Sequence, residues 1–543
     1  MANKLILAGL LALAQAPAVL GATVDLGVSV HLGALNATGS YYAFNNIPYA
    51  EPPTGSRRFK APFPKVSINR TVNDGSVQRI CPSANPAWFG ISVPYMLAQL
   101  FGPLPPGPPP GPPPPVDPRE TEDCLYLDVK APKAVFDGPG IKPKNLPVLV
   151  WIHGGGFAGG SKDGNPAGLI KQGFRDGKKG FVYVAINYRL GLFGFPPKGP
   201  LDFDVATNAG LMDQQLALLW VKANIAKFGG DPNKITVFGE SAGASSIAFL
   251  LTSYNGAPVP FKRALLQSPA TRPATDQAVY AGVYNEVLAA AGVSSIAALR
   301  ALPSSTLTDV NRAVIGAAGF DHFTLGPNVD GIFVPDQLPV LLRKGRVPKN
   351  VEVMVSYTSD EGLLFTDPRV QDNTAFKALF QQLMPSIPAS KINQLATTVY
   401  PEDFSGAQGY TDQSSRLRLA LAEGIVQCNA FATHLAYKNA SRAFIFDVFP
   451  KIHAEDVAYT FWNGESTDSF GIPINLPVAL NLQKWVVDYA MVGAGPASAA
   501  NVIPIYTNAA KTLQVSDTGN SVIQPDWAAN RRCRWWVEGL FAP

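Results

Sequence analysis

The chain has 543 residues, of which 47% are hydrophobic and 15% charged. That composition supplies a sizeable core and excludes a disordered chain. With 44 Lys and Arg against 40 Asp and Glu, the net charge is only +4, and no basic stripe offers a surface for nucleic acid.

The first residues have the form of an export signal. Lys4 supplies a positive start, and residues 5–14 are apolar apart from Gly9, a run too short to cross a bilayer. Small residues follow, so cleavage is expected after Gly21 or Ala22. That gives a leader over residues 1–22 and a secreted remainder; an uncleaved anchor is the alternative. No later stretch is long and apolar enough to span a membrane, and weak linker signals within residues 23–543 predict one large domain.

The chain has four cysteines, Cys81, Cys124, Cys428 and Cys533. An even number in an exported chain suggests two disulfides, and counting alone allows three pairings. Asn-x-Ser/Thr sequons at Asn36, Asn69 and Asn439 would be surface glycosylation sites in a eukaryotic secretory route.

Residues 24–44 read as short strands with turns, and residues 46–64 as irregular, proline-rich chain. A Pro/Gly run over residues 102–118 can form neither helix nor central strand. It lies between Cys81 and Cys124, which favours a tethered surface loop over an interdomain linker. Upstream of it, residues 88–101 are strongly apolar and make either a lid over a binding site or a segment packed on the body. Continuous apolar runs at residues 147–153 and 181–188 predict buried strands. Residues 208–228 turn helical, with Leu218, Val221, Ile225 and Phe228 at steps of three and four. A short strand at residues 235–238, a helix from Ala242 and a strand at residues 263–267 follow. Beyond them come a helix at residues 276–291, a strand at 351–357, a helix at 414–438 and a strand at 442–449. Strands alternating with helices predict an α/β fold: a large, mainly parallel central sheet flanked by helices.

The strongest chemical signal is Gly239-Glu240-Ser241-Ala242-Gly243, a G-x-S-x-G sequence between a strand and a helix. A sharp turn there exposes the serine hydroxyl, and the small glycines let strand and helix approach. A second signal is His153-Gly154-Gly155-Gly156-Phe157, also after a strand. Glycines there let backbone N–H groups face inward, and those of Gly155 and Gly156, with that of Ala242, could bind a developing oxyanion. A phosphate-binding loop is the rival reading, but no Lys-Ser/Thr follows the glycines. Nothing in the sequence calls for a metal or an organic cofactor.

A serine hydroxyl needs a base to take its proton. The chain has five histidines, and three of them, His322, His434 and His453, follow Ser241. His434 falls within a helical pattern and reads as an ordinary helix-face residue. His453 falls in a loop just past a strand, where catalytic side chains sit, and is the expected base. The acid that orients it should lie on a loop between Ser241 and His453. Asp360 and Glu361 both qualify, and local reasoning does not separate them.

At this point the chain resembles the type-B carboxylesterases, the family that includes cholinesterases and Candida-type fungal lipases. The resemblance starts at FNNIPYAEPPTGSRRFKAP and runs through EDCLYLDV, PVLVWIHGGGF and INYRLGLFGF. It continues through NAGLMDQQLALLWVKANIAKFGGDPNKITVFGESAG, the Val-Asp-Gly at residues 329–331, SDEG and the segment after His453. It implies the α/β-hydrolase fold with a central sheet of about eleven strands. It also implies Glu361 as the acid, Gly155, Gly156 and Ala242 as oxyanion donors, and the pairings Cys81–Cys124 and Cys428–Cys533. The chain departs from the family pattern in lacking the middle disulfide. It has Pro112 to Pro115 where a choline-binding aromatic would stand, so cholinesterase activity is not expected. It also reads Gln267-Ser268-Pro269-Ala270 where a second glycine is usual.

The resulting expectation is a secreted carboxylic ester hydrolase acting on a small-molecule or lipid ester, with Ser241 as nucleophile, His453 as base and Glu361 as orienting acid. A long-chain lipase and an esterase of a specialised metabolite are open variants. A non-catalytic adhesion protein on the same fold is a distant alternative, disfavoured because every catalytic group is present.

Overall fold

The computed structural model describes residues 21–103, 116–137, 145–199, 201–272, 277–438, 440–495, 498–519 and 521–542. The expected leader up to residue 20, residues 104–115 of the Pro/Gly run and the sequon at Asn439 lie outside them.

The strands are β1 (Ala22–Asp25), β2 (Ser29–Asn36), β3 (Tyr41–Pro48), β4 (Asn69–Asn73), β5 (Tyr126–Pro132), β6 (Leu146–Ile152), β7 (Val182–Ile186), β8 (Gly230–Glu240), β9 (Arg263–Gln267), β10 (Glu352–Thr358), β11 (Arg442–Asp447), β12 (Lys511–Ser516) and β13 (Ser521–Pro525). They form one 13-stranded sheet in the order β1-β2-β3-β5-β7-β6-β8-β9-β10-β11-β12-β13, with β4 paired to β2. The block from β7 to β12 is parallel. The edges are antiparallel: β1, β2, β3 and β5 on one side and β13 on the other. The count exceeds the expected eleven or so because β1 and β4 are short additions on β2.

Buried parallel strands carry apolar side chains on both faces, and these alternate along each strand. Val148, Val150 and Ile152 of β6 join Val182, Val184 and Ile186 of β7 in the core on one face. Leu149, Trp151, Tyr183 and Ala185 point into the core on the other. That alternation is why residues 147–153 and 181–188 read as continuous apolar runs. The helix at Ala209–Asn224 and the helix at Ala242–Thr252 cover the first face, burying Leu218, Val221, Ile247 and Leu251. The helix at Leu476–Val492 covers the second with Val478, Leu482 and Val486.

Three local outcomes refine the sequence reading. The apolar stretch before the Pro/Gly run is helical, and we call it α1 (Phe89–Phe101). Met96 of α1 is fully buried and packs with Leu363 and Ile452, while Ile91 and Phe101 stay exposed. The expected strand at residues 235–238 extends over the whole of β8. The single helix expected at residues 414–438 is three consecutive segments, Gln413–Leu421, a π-helical Ala422–Gln427 and Cys428–Ala436.

Both expected disulfides are formed, Cys81–Cys124 across a sequence separation of 43 and Cys428–Cys533 across 105. The first encloses α1. The second ties the C-terminal segment to the helix at Cys428–Ala436. A cross-link that closes a long loop mainly restricts the unfolded chain. Replacing Cys428 and Cys533 together by Ala should therefore lower the unfolding free energy by about 2–5 kcal/mol in chemical denaturation. A loss below about 1 kcal/mol would contradict this account.

Candidate active site

The parallel block brings Ser241, Glu361 and His453 together from three strand ends. Ser241 follows β8, Glu361 lies in the turn after β10, and His453 lies in the loop after β11. All three stand at the C-terminal edge of the sheet, where open α/β sheets place their sites.

Ser241 has φ 57° and ψ −125°, a conformation that L-residues seldom adopt. Its N–H donates to the Gln267 carbonyl at 3.0 Å, and its own carbonyl accepts from Ser245 N–H at 2.9 Å. The turn is this tight because the two glycines of the motif permit it. A Cβ on Gly239 would lie 2.7 Å from the Gly243 carbonyl carbon, and one on Gly243 would collide with the carbonyl oxygen of Ile152. Where a further glycine was expected, the chain turns with Ser268 at φ 50°.

The neighbouring turns are held in register by an isolated bridge between Asp360 and Ile452, and Asp360 N–H donates to the Lys451 carbonyl at 2.9 Å. Glu361 and His453 each lie one residue further on and therefore face each other. His453 Nδ1 is 2.5 Å from Glu361 Oε2, and His453 Nε2 is 2.8 Å from Ser241 Oγ. Thr358 N–H donates to the other Glu361 oxygen at 2.6 Å. Glu361 is fully buried. Asp360, the alternative acid, pairs with Arg418 instead.

Ala242 is the first residue of its helix, so its N–H has no acceptor within that helix. Gly155 (φ 108°) and Gly156 (φ 62°) need the positive φ that glycine tolerates, and both line the same cavity as Ser241 and His453. That cavity has a volume of about 270 Å³, and its walls include Phe89 of α1, Phe157, Phe323, Leu325 and Phe365. The Phe365 ring centroid lies 5.2 Å from that of His453.

The electrostatics go beyond the expected three groups. Glu240 Oε1 lies 3.4 Å from His453 Nε2. Burial pushes Glu240 up to about 8, against the opposing effect of His453. Asp456, three residues after His453, is pushed up to about 7, chiefly by burial, and accepts from the Gln267 side chain at 2.7 Å. Burial works against an imidazolium at His453, but the charge of Glu361, aided by Glu240, outweighs it, so the ring titrates above the ordinary histidine range. Sequence reasoning passed over Glu240 although it sits inside the motif, because the motif directs attention to the serine. Asp456 and the phenylalanines carry no local signal.

The other histidines have structural partners. His434 is stacked on Tyr506 and lies 2.7 Å from Ser441 Oγ. His322 Nε2 lies 3.1 Å from the Gln382 carbonyl. The sequon residues Asn36 and Asn69 are both exposed.

Fold and site together define an α/β-hydrolase-fold serine hydrolase. The sequence profile described as the Carboxylesterase family matches residues 26–468. Carboxylesterase patB of Aspergillus clavatus is 35% identical, covering 95% of this chain and 96% of that protein. Lipase 4 of Diutina rugosa is 34% identical, covering 67% of this chain and 66% of that protein. The crystal structure of Aspergillus niger EstA shares the fold with a TM-score of 0.78 at 21% identity, covering 95% of this chain and 98% of that one. The chain belongs to the carboxylesterase family, and its relatives named carboxylesterase and lipase fit a carboxylic ester hydrolase.

A group whose charged form is favoured holds its proton to higher pH. His453 should therefore titrate above the ordinary value of about 6.5 when followed by NMR of ¹⁵N-histidine-labelled protein. Glu361→Gln removes the favouring charge and should move that titration downward. An unchanged titration would refute the assigned cause.

Proposed function

We propose that the protein hydrolyses small-molecule carboxylic esters through an acyl-enzyme on Ser241. The observation that carries this reading is the contact series from Ser241 Oγ through His453 to Glu361, opening into an apolar cavity. His453 Nε2 takes the hydroxyl proton as Ser241 attacks the ester carbonyl. Glu361 holds the ring with Nδ1 protonated and stabilises the imidazolium that forms. The N–H groups of Gly155, Gly156 and Ala242 receive the oxyanion. His453 then returns the proton to the leaving alcohol, and water releases the acid by the same steps in reverse.

At about 270 Å³ the cavity lies near the lower end of the roughly 300–1,000 Å³ of sites for drug-sized ligands, which favours compact esters over long-chain acylglycerols. The exposed Ile91 and Phe101 of α1 support a second reading, a lipase whose apolar helix meets a lipid surface. Among the described residues no helix is long and apolar enough to cross a membrane. The reading includes export after loss of residues 1–22, glycosylation at Asn36, Asn69 and Asn439, and residues 23–543 acting as one domain. Ala22 pairs with Gly33 at the start of β1, so of the two expected cleavage points the one after Gly21 keeps that strand whole and the one after Ala22 shortens it by one residue.

Turnover of p-nitrophenyl esters of increasing acyl length tests the reading. Activity should peak at short chains and fall beyond about eight carbons. A longer optimum with a jump at the micelle threshold would favour the lipase. Ser241→Ala should lower kcat on the order of 10⁴-fold or more. Full activity in that variant would refute Ser241 as nucleophile. Failure of the wild type both to turn over any ester and to be labelled by an organophosphonate would refute the whole reading.

A further inference from the structure

One wall of the cavity carries a group that the ester chemistry leaves unused. Asp321 lines the cavity with Ser241 and His453 and is only 5% exposed. Among the described residues, neither of its carboxyl oxygens has a hydrogen-bond partner. The residue also holds φ 61°, a conformation that costs energy in any residue with a Cβ. A buried carboxyl with no partner is destabilising, so native proteins satisfy such groups almost without exception. Phe320 and Phe323 flank it in sequence, and the next residue, His322, turns its Nε2 to the Gln382 carbonyl. Arg272 lines the same cavity, and its Nη2 is likewise buried without a partner. Among the described residues, the wall of this aromatic cavity thus holds a carboxyl and one guanidinium nitrogen without hydrogen-bond partners.

The position of Asp321 indicates which part of an ester it would meet. The leaving alcohol must sit beside His453, which returns its proton. Asp321 belongs instead to the segment whose Phe323 ring packs where a Cβ on Gly156 would stand, on the side of the proposed oxyanion loop. Resting on the ester-hydrolase reading above, we propose that Asp321 is a specificity-determining residue that binds a hydroxyl on the acyl part of the substrate. The preferred substrates are then compact hydroxy-acyl esters rather than their plain counterparts.

A hydroxyl suits this site better than a cation. Burial, reinforced by the nearby charge of Asp367, drives the Asp321 carboxyl well above the ordinary carboxylate range. A neutral carboxyl both donates and accepts, and so does a hydroxyl. An ammonium group would need the ionised form, in a cavity that Arg272 also lines.

The test compares kcat/KM of the full-length protein on p-nitrophenyl phenylacetate and on its 2-, 3- and 4-hydroxy derivatives. At least one hydroxy ester should exceed the parent by about tenfold or more. In Asp321→Gly, chosen because glycine accepts the positive φ, that ratio should fall towards one. Asp321→Asn, which can still donate and accept, should keep most of it. Wild-type ratios near one for all three isomers overturn the proposal, and so does a ratio that survives in Asp321→Gly; in both cases ester hydrolysis at Ser241 stands. Absence of turnover together with absence of organophosphonate labelling overturns the ester-hydrolase reading and this one with it.

Discussion

The close approach of β8 to the helix at Ala242–Thr252 is the constraint on which the site depends. It leaves no room for a side chain at Gly239 or Gly243 and drives Ser241 into its strained backbone conformation. The strain has a geometric return. It lifts the hydroxyl clear of the sheet edge and aligns the first N–H of the helix beside it. Both come from a single turn, so the attacking oxygen and one proposed oxyanion donor cannot drift apart. The cost is borne by the surrounding sheet, whose central strands are buried on both faces.

A second layer is electrostatic. Four acidic side chains, Glu240, Glu361, Glu455 and Asp456, lie buried on or beside the loops that carry Ser241 and His453. Several full negative charges in so small a volume would repel strongly, and burial resolves this by keeping protons on some of them. Glu240 is held up to about 8 and Glu455 to about 9, in both cases chiefly by burial. The imidazole then faces one dominant anion, Glu361, whose second oxygen is fixed by Thr358 N–H. One carboxylate that cannot rotate defines one ring orientation.

Much of the parallel block was legible in the sequence, because buried strands and amphipathic helices impose their periods on the residues that form them. The run at residues 147–153 and the spacing of Leu218, Val221, Ile225 and Phe228 are direct images of burial. The short strands at one edge were legible in residues 24–44, but the C-terminal edge strand was not. β13 is almost wholly exposed, and a strand without a buried face leaves no apolar pattern. At the site, the serine and histidine could be found by motif, chain order and elimination. Asp360 and Glu361 could not be told apart locally, since their difference arises from the bridge between Asp360 and Ile452, a contact between residues 92 apart in the same chain. Asp321 was invisible for a related reason. Its meaning lies in the partners it lacks, and those depend on how distant segments pack.

The disulfide around α1 has a consequence for how such a protein can diversify. Cys81 and Cys124 anchor both ends of the segment in the body, while Met96 presses the helix onto Leu363 and Ile452, beside the turns of Glu361 and His453. The helix, whose Phe89 lines the cavity, forms a replaceable roof over a fixed hearth. Insertions or exchanges between the two cysteines can reshape the entrance without touching the register of any strand. Selection can therefore explore new substrates in this segment while the reaction machinery is inherited unchanged.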